Sequence, residues 1–269
     1  MDINTSRYRV EPKESVDLSS RPTEDDGGFD KDSARKPFDE LTDRLAALQE
    51  LLYAEHKHAL LVVLQAMDAG GKDSTIRNVF RPLNPQGCKV VSFKAPNDIE
   101  GMHDFLWRIH QNTPRKGYIG VFNRSHYEDV LIVRVKNLAP KSIWSKRYEH
   151  INRFECMLHD EGTVVVKFFL HISKDYQKKR LLRRLERPDK HWKFDPGDLV
   201  ERKRWDDYQH AFEEAIGRCS TSYAPWYVIP AERRWYRNLL IAQVLVETLE
   251  SLKMKFPKPT FDPAEITIE

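Results

Sequence analysis

The chain predicts an α/β fold: a central, mainly parallel sheet with helices on both faces. Three observations carry that expectation. Short, continuously apolar runs alternate with stretches of helical periodicity from residue 37 to residue 252. The runs lack the polar alternation of a half-exposed strand, so their strands should be buried on both sides, as parallel strands are. The first of them, Ala59–Gln65, leads directly into a glycine-rich lysine loop and a helix, and such sheets bind ligands at the carboxyl ends of their strands.

Residues 1–35 are polar, and the stretch 23–30 (TEDDGGFD) reads as too charged and glycine-containing to pack, so a polar N-terminal arm, free or wrapped on a partner, is expected there. Residues 36–269 are expected to form a single domain. Leu41, Leu45, Leu48, Leu51 and Leu52 set a helix over 37–56, followed by the strand 59–65. A helix over 74–80, a strand over 89–93, a helix over 101–111 and a strand over 118–122 continue the alternation. Then come a helix over 142–160, a strand over 163–170, helices over 174–186 and 198–216, a strand over 226–229 and a last helix over 233–252.

Composition excludes several classes. The 44 Lys and Arg barely outnumber the 41 Asp and Glu, so net charge alone gives no case for nucleic acid. Cys88, Cys156 and Cys219 are far apart and lack metal-ligand spacing, which points to reduced thiols and a cytoplasmic protein. No apolar run approaches the roughly 20 residues that span a bilayer, so no membrane contact is expected.

Asp68-Ala-Gly-Gly-Lys-Asp-Ser74 reads as a phosphate-binding loop. Backbone amides from Ala69 through Gly70 and Gly71 to Asp73 and Ser74 can converge on an anion, the helix start adds partial positive charge, and Lys72 supplies a cation for phosphoryl oxygens. The loop departs from G-x-x-x-x-G-K-[ST], with Ala66 in place of the first glycine and Asp73 between Lys72 and Ser74. Asp68 would repel phosphate unless a divalent cation sat between them, and it is read as a Mg²⁺ ligand, with Mn²⁺ as the substitute metal.

At the end of the strand 118–122, Asn123, Arg124 and Ser125 should face the phosphates, Arg124 spreading transition-state charge. Asn123, Arg124, Tyr127 and Glu128 are the expected nucleotide contacts, and Asn123, Glu128 or Asp129 could assist Asp68 at the metal. His126 reads as a packing residue, because transfer between phosphates requires no proton abstraction. Farther on, Arg180, Arg183, Arg184 and Arg187 recur at helical spacing on one face, extended by Lys190 and Lys193, with only Glu186 and Asp189 interleaved. Such a face fits a polyanion or the phosphates of a closing lid, expected over residues 174–197. Trp192 alone lies close, so the aromatic platforms of a nucleic-acid reader are missing.

Met67-Asp-Ala-Gly-Gly-Lys-Asp-Ser-Thr-Ile76, Phe122-Asn-Arg-Ser-His-Tyr127 and Arg183-Arg-Leu-Glu-Arg-Pro-Asp-Lys-His-Trp-Lys193, in this order, resemble the second family of polyphosphate kinases. Members of that family are similar to thymidylate kinases in fold but use inorganic polyphosphate as donor. The resemblance runs from about residue 37 to the last helix. It implies a three-layer sandwich of P-loop kinase type with a basic helical lid. It also implies that Asp68 and Lys72 bind metal and phosphate, that Arg124 contacts the transferring chain, and that Arg183 or Arg184 closes over it. Asn123, where many relatives carry Asp, resembles the branch acting on both nucleoside monophosphates and diphosphates, so AMP, ADP and ATP are the expected nucleotides. A homodimer or homotetramer is implied as well. Two alternatives stay open: an ATP-dependent nucleoside monophosphate kinase of thymidylate-kinase type, and a non-catalytic phosphate or nucleic-acid binding protein.

Overall fold

A computed structural model describes residues 3–268. The elements in chain order are β1 (Arg9–Val10), α1 (Arg35–Glu55), β2 (Ala59–Gln65), α2 (Lys72–Val79), β3 (Cys88–Ser92), α3 (Asp98–Gly101), α4 (Trp107–His110), β4 (Ile119–Asn123), α5 (Ile132–Val135), α6 (Lys141–Asp160), β5 (Thr163–His171), α7 (Lys174–Glu186), α8 (Gly197–Lys203), α9 (Trp205–Cys219), β6 (Trp226–Pro230) and α10 (Arg234–Ser251). The sheet order is β1-β6-β5-β2-β4-β3, parallel throughout except for β1.

The continuous apolar runs become the centre of this sheet. Every residue of β2 and β6 is buried, as is nearly all of β5, so the strands expose no polar face. Helices α1, α2 and α10 pack together, as do α5, α6 and α9, and the two groups cover the sheet. Leu45, Leu48 and Leu52 turn the apolar stripe of α1 into the core. That helix stops at His56, whose N–H closes the last helical bond to Leu52 O at 3.2 Å and whose left-handed backbone then turns the chain away.

Three expectations change. The N-terminal segment packs on its own sheet: Tyr8, Val10, Leu18, Phe29 and Ala34 are buried, and β1 pairs antiparallel with β6, Arg9 opposite Tyr227. A few buried apolar side chains suffice to dock a polar segment whose charges stay outside. Residues 1 and 2 of that arm, and residue 269, lie outside the described residues. The helix expected over 101–111 is two single turns. Asn97 and Glu100 form a reciprocal capping box that starts α3 early, and Asp104 Oδ1 accepts from Leu106 N at 2.9 Å, which starts α4 anew. The helix expected over 198–216 breaks at Arg204, whose guanidinium donates to Val135 O at 2.6 Å, giving α8 and α9.

The parallel register aligns the strand ends. Leu64 lies opposite Asn123, Ser92 opposite Asn123, and Gln65 opposite Phe169, so the loop after β2 and the turn after β4 emerge side by side.

Candidate active site at the phosphate loop

The turn between β2 and α2 is built from unusual backbone. Ala69 has φ +64° and Gly71 φ +101°, the second at the N-cap of α2. Gly70 N donates to Met67 O at 3.0 Å, and a Cβ at Gly70 would meet Ala66 Cβ at 2.6 Å, so the chain turns too tightly there for a side chain. Lys72, at the first position of α2, is buried and bonds Ala66 O at 3.0 Å. Burial pulls its ammonium below the usual range and Arg124 adds to the pull, while Asp68, Glu128 and Asp73 oppose it. Ser74 Oγ bonds Gly71 O at 2.9 Å.

Beside the loop stands the end of β4. Arg124 has φ +62°, donates its N–H to Leu64 O at 3.1 Å, and swings its guanidinium back over the loop, Nη2 2.9 Å from Asp68 Oδ1. Burial would lower the Arg124 guanidinium, but Glu128 and Asp68 outweigh it and raise it. The half-buried Glu128 is pushed up by burial, held back by Arg124 and Lys72, so two carboxyls and two cations form one cluster at the loop. Asn123 Nδ2 donates to Asp73 Oδ1 at 2.9 Å.

The basic helix lies across this cluster. Ser173 caps α7, accepting from Tyr176 N at 3.1 Å, and the buried Gln177 donates to Asp68 O at 2.9 Å. Arg180, Arg183, Arg184 and Arg187 line the same cleft as the loop, and Lys190 and Lys193 complete the wall from the turn Pro188–Lys193. Lys193 Nζ lies 3.8 Å from Asp73 Oδ2. Arg184 Nη1 donates to Lys193 O at 3.1 Å and to Asp198 Oδ2 at 2.9 Å, tying α7, the turn and α8 together. The cleft measures about 570 Å³.

The structure thus brings the loop residues from Asp68 to Ser74 together with Asn123, Arg124 and the six lid cations. Four expected contacts stand outside this lining: Ser125, Tyr127, Glu128 and Asp129. Ser125 is fully buried, its hydroxyl 3.2 Å from the Gln65 amide, and Glu128 is half-buried beside Arg124 and Lys72. Tyr127 is fully buried, its hydroxyl donating to Glu155 Oε1 at 3.0 Å and accepting from Lys167 Nζ at 3.0 Å, so it is a core residue and cannot touch a nucleotide in the cleft. The 3-10 turn after Ser125 rotates it inward, beside a Glu155–Lys167 ion pair with no exposed surface. Asp129 is held by Arg147 Nη1 at 2.9 Å, outside the cleft lining, with its carboxyl pushed up to about 6 by burial. His126 packs as expected, buried and 3.1 Å from Glu155 Oε1.

Four charged lining residues escaped the sequence reading, Arg77, Lys94, Asp198 and Arg234, as did Ser92 and Phe93 at the end of β3. Arg77 lies in the second turn of α2, while Arg234 opens α10 and Asp198 sits in the first turn of α8, positions without a local motif. Arg77 alone carried a signal, one turn beyond Lys72 on the helix that the loop starts.

Comparison with known proteins identifies the family. The family model for polyphosphate kinase 2 matches residues 28–257. The AMP/ADP-polyphosphate phosphotransferase of Meiothermus ruber is 56% identical over 265 residues, covering 98% of this chain and 99% of that protein. The ADP-polyphosphate phosphotransferase of Rhodopseudomonas palustris is 47% identical, covering 97% and 94%. The crystal structure of polyphosphate kinase 2 from Arthrobacter aurescens superposes with a TM-score of 0.92 at 44% identity, covering 96% of this chain and 93% of that one. Matched from before its first long helix to beyond its last, and similar over nearly its whole length to proteins of that kind, the chain belongs to the polyphosphate kinase 2 family.

Proposed function

We propose that this protein transfers the terminal phosphoryl group of inorganic polyphosphate to AMP, giving ADP, and to ADP, giving ATP, and that the transfer is reversible. One observation carries the reading: the cleft at the phosphate loop is lined by eleven Lys and Arg against three Asp. That imbalance is costly unless a chain of negative charge fills the cleft, and a polyphosphate does so with one charge or more per phosphoryl unit. The names of the Meiothermus ruber and Rhodopseudomonas palustris relatives support the same donor and acceptors.

Phosphoryl transfer asks the protein for position and charge rather than covalent chemistry. The amides of Ala69–Ser74 and the Lys72 ammonium hold the terminal phosphates at the start of α2. Arg124 reaches the transferring group from the end of β4. Arg183 and Arg184 cover it from the lid, while Arg180, Arg187, Lys190 and Lys193 hold the rest of the donor. Removing one such contact to the transition state should cost about 3 kcal/mol. Asn123, which lines the cleft on the β4 side, is assigned to the acceptor nucleotide, with Glu128 supporting it from the turn behind Arg124.

Mg²⁺ fits the donor set. The described residues offer no cage of three or more His, Cys, Asp or Glu, and Mg²⁺ is commonly held by one or two carboxylates plus phosphate oxygens and water. Asp68 at the loop, with Glu128 or Asn123 beside it, supplies that number; Mn²⁺ would suit the same oxygens. Such an ion, when bound, neutralises charge on the bridging phosphates. Among the described residues no helix is long and apolar enough to cross a membrane. A cytoplasmic site of action and assembly as a homodimer or homotetramer belong to the same reading, and sedimentation tests the second.

The deciding experiment mixes protein, Mg²⁺ and long-chain polyphosphate with AMP alone, and separately with ADP alone, and separates the nucleotides by chromatography. ATP in both tubes is expected. ADP formed only when ATP accompanies AMP would replace this reading with an ordinary nucleoside monophosphate kinase.

A further inference from the structure

Four cations are buried among the described residues, and three of them have their charge answered. Lys167 pairs with Glu155, Arg108 lies 3.3 Å from Glu100 Oε2, and Lys72 sits among Asp68, Glu128 and Asp73. Arg237 of α10 is the fourth. It is 1% exposed and, among the described residues, has no carboxylate within ion-pair distance. Its hydrogen bonds go to neutral oxygens, from Nη2 to Ser74 Oγ at 2.9 Å and from Nε and Nη2 to Asn238 Oδ1 at 3.2 and 3.0 Å. Its nearest charged neighbours include two more cations, Arg234 and Arg180. Burial first, and these cations next, pull the guanidinium down to about 10, against support from Tyr176.

The placement is as informative as the missing partner. A Cβ on Gly71 would come within 2.1 Å of Arg237 Nη1, so the guanidinium rests on the left-handed glycine that opens α2, behind the backbone expected to cradle phosphate. Arg180 and Arg234 line the cleft, and Arg237 does not. A buried, unanswered charge is among the costliest features a fold can carry. It is tolerated where something else supplies the opposite charge, and the loop in front of it is where a phosphate chain brings one.

We infer that Arg237 is a positioning residue for the polyphosphate donor: from behind the loop it holds the turn from Gly71 to Ser74 in place, and its charge is compensated only when a phosphate chain occupies the loop. This rests on the donor proposed above. It makes donor binding relieve a cost that the empty protein bears, so binding and folding stability are linked through one side chain.

The test uses tripolyphosphate as probe, thermal melting with and without it, and steady-state kinetics. Arg237→Met removes the charge and keeps much of the volume. The proposal expects it to melt no lower than wild type without ligand, to bind tripolyphosphate about tenfold more weakly, and to gain about 4 °C less from saturating ligand. KM for polyphosphate should rise while KM for AMP stays. Arg237→Lys should keep most of the gain. Where Arg237→Met does not fold, Arg237→Gln, which can still donate to Ser74 without charge, should show the same reduced gain. A wild-type protein that gains nothing from tripolyphosphate overturns the donor assignment and this proposal together. A wild-type gain matched in full by the neutral variants, or a gain lost equally in Arg237→Lys, overturns this proposal alone and leaves the donor assignment standing.

Discussion

Arg124 Nη2 stands 2.9 Å from Asp68 Oδ1, which ties the turn after β4 to the phosphate loop after β2. Both residues are half-buried, so the pair is well placed yet open to the cleft. Asp68→Asn should therefore act twice, removing a charge from the metal side and releasing Arg124. The expected outcome is a rate lower by about a hundredfold and a higher Mg²⁺ concentration for half-maximal activity, read from a metal titration. An unchanged metal requirement would remove Asp68 from the metal.

Lys72 has little freedom: it is buried and bonded to Ala66 O. Lys72→Ala should lower kcat/KM by about a hundredfold or more while leaving the melting temperature within a few degrees. Turnover near the wild-type rate would defeat the assignment of the loop.

Gly71→Ala places a side chain at φ +101° and against Arg237 Nη1. Left-handed backbone and a displaced buried guanidinium together should cost about 2–3 kcal/mol. Denaturant unfolding measures it, and a loss below about 0.5 kcal/mol would mean that the two groups do not touch.

Asp198 holds Arg184 at 2.9 Å, and its carboxyl is pushed up to about 6, by burial first and by Asp68 next, against Arg184. In the unfolded chain the same group titrates near its ordinary 3.8. Between those values the folded protein keeps a proton that the unfolded chain has released, so this residue's contribution to stability falls as pH rises from about 4 to 6. Asp198→Asn should flatten that slope in pH-dependent melting. It should also free Arg184 above pH 6 and tighten polyphosphate binding several-fold. Weaker binding in the variant would give Asp198 a supporting role instead.

Glu155 and Lys167 are both without exposed surface and bonded to each other, with Tyr127, His126 and Cys219 O around them. Glu155→Gln leaves Lys167 buried without a counter-charge, at an expected cost of about 3–5 kcal/mol. Chemical unfolding tests this, and a loss under about 1 kcal/mol would show that water reaches the lysine.

Much of this architecture was legible because it repeats local rules. Continuous apolar runs gave the parallel strands, Pro188 and the arginine spacing gave α7, and the glycines with Lys72 gave the loop. The unread parts depend on distant neighbours. Tyr8, Val10, Leu18 and Phe29 follow no period, so nothing local distinguishes their burial from a loose arm. Tyr127 follows Arg124 by three residues in the same motif, yet a 3-10 turn sends one into the core and leaves the other on the cleft. Arg237 and Asp198 occupy ordinary helix positions and reach the loop and the lid only through packing of α10 and α8.

The first strand of the described chain pairs with the sixth. Arg9 finds its partner at Tyr227, more than 200 residues along, so β1 has no place to dock until β6 has been synthesised and is in the sheet. Closing so long a loop is slow. Until it closes, the outer edge of β6 stays open to pairing with other strands. The N-terminal residues thus act as a cap fitted at the end of assembly, and a shortened N-terminus should betray itself during refolding, as clumping at high protein concentration, before it shows in any measure of the finished enzyme.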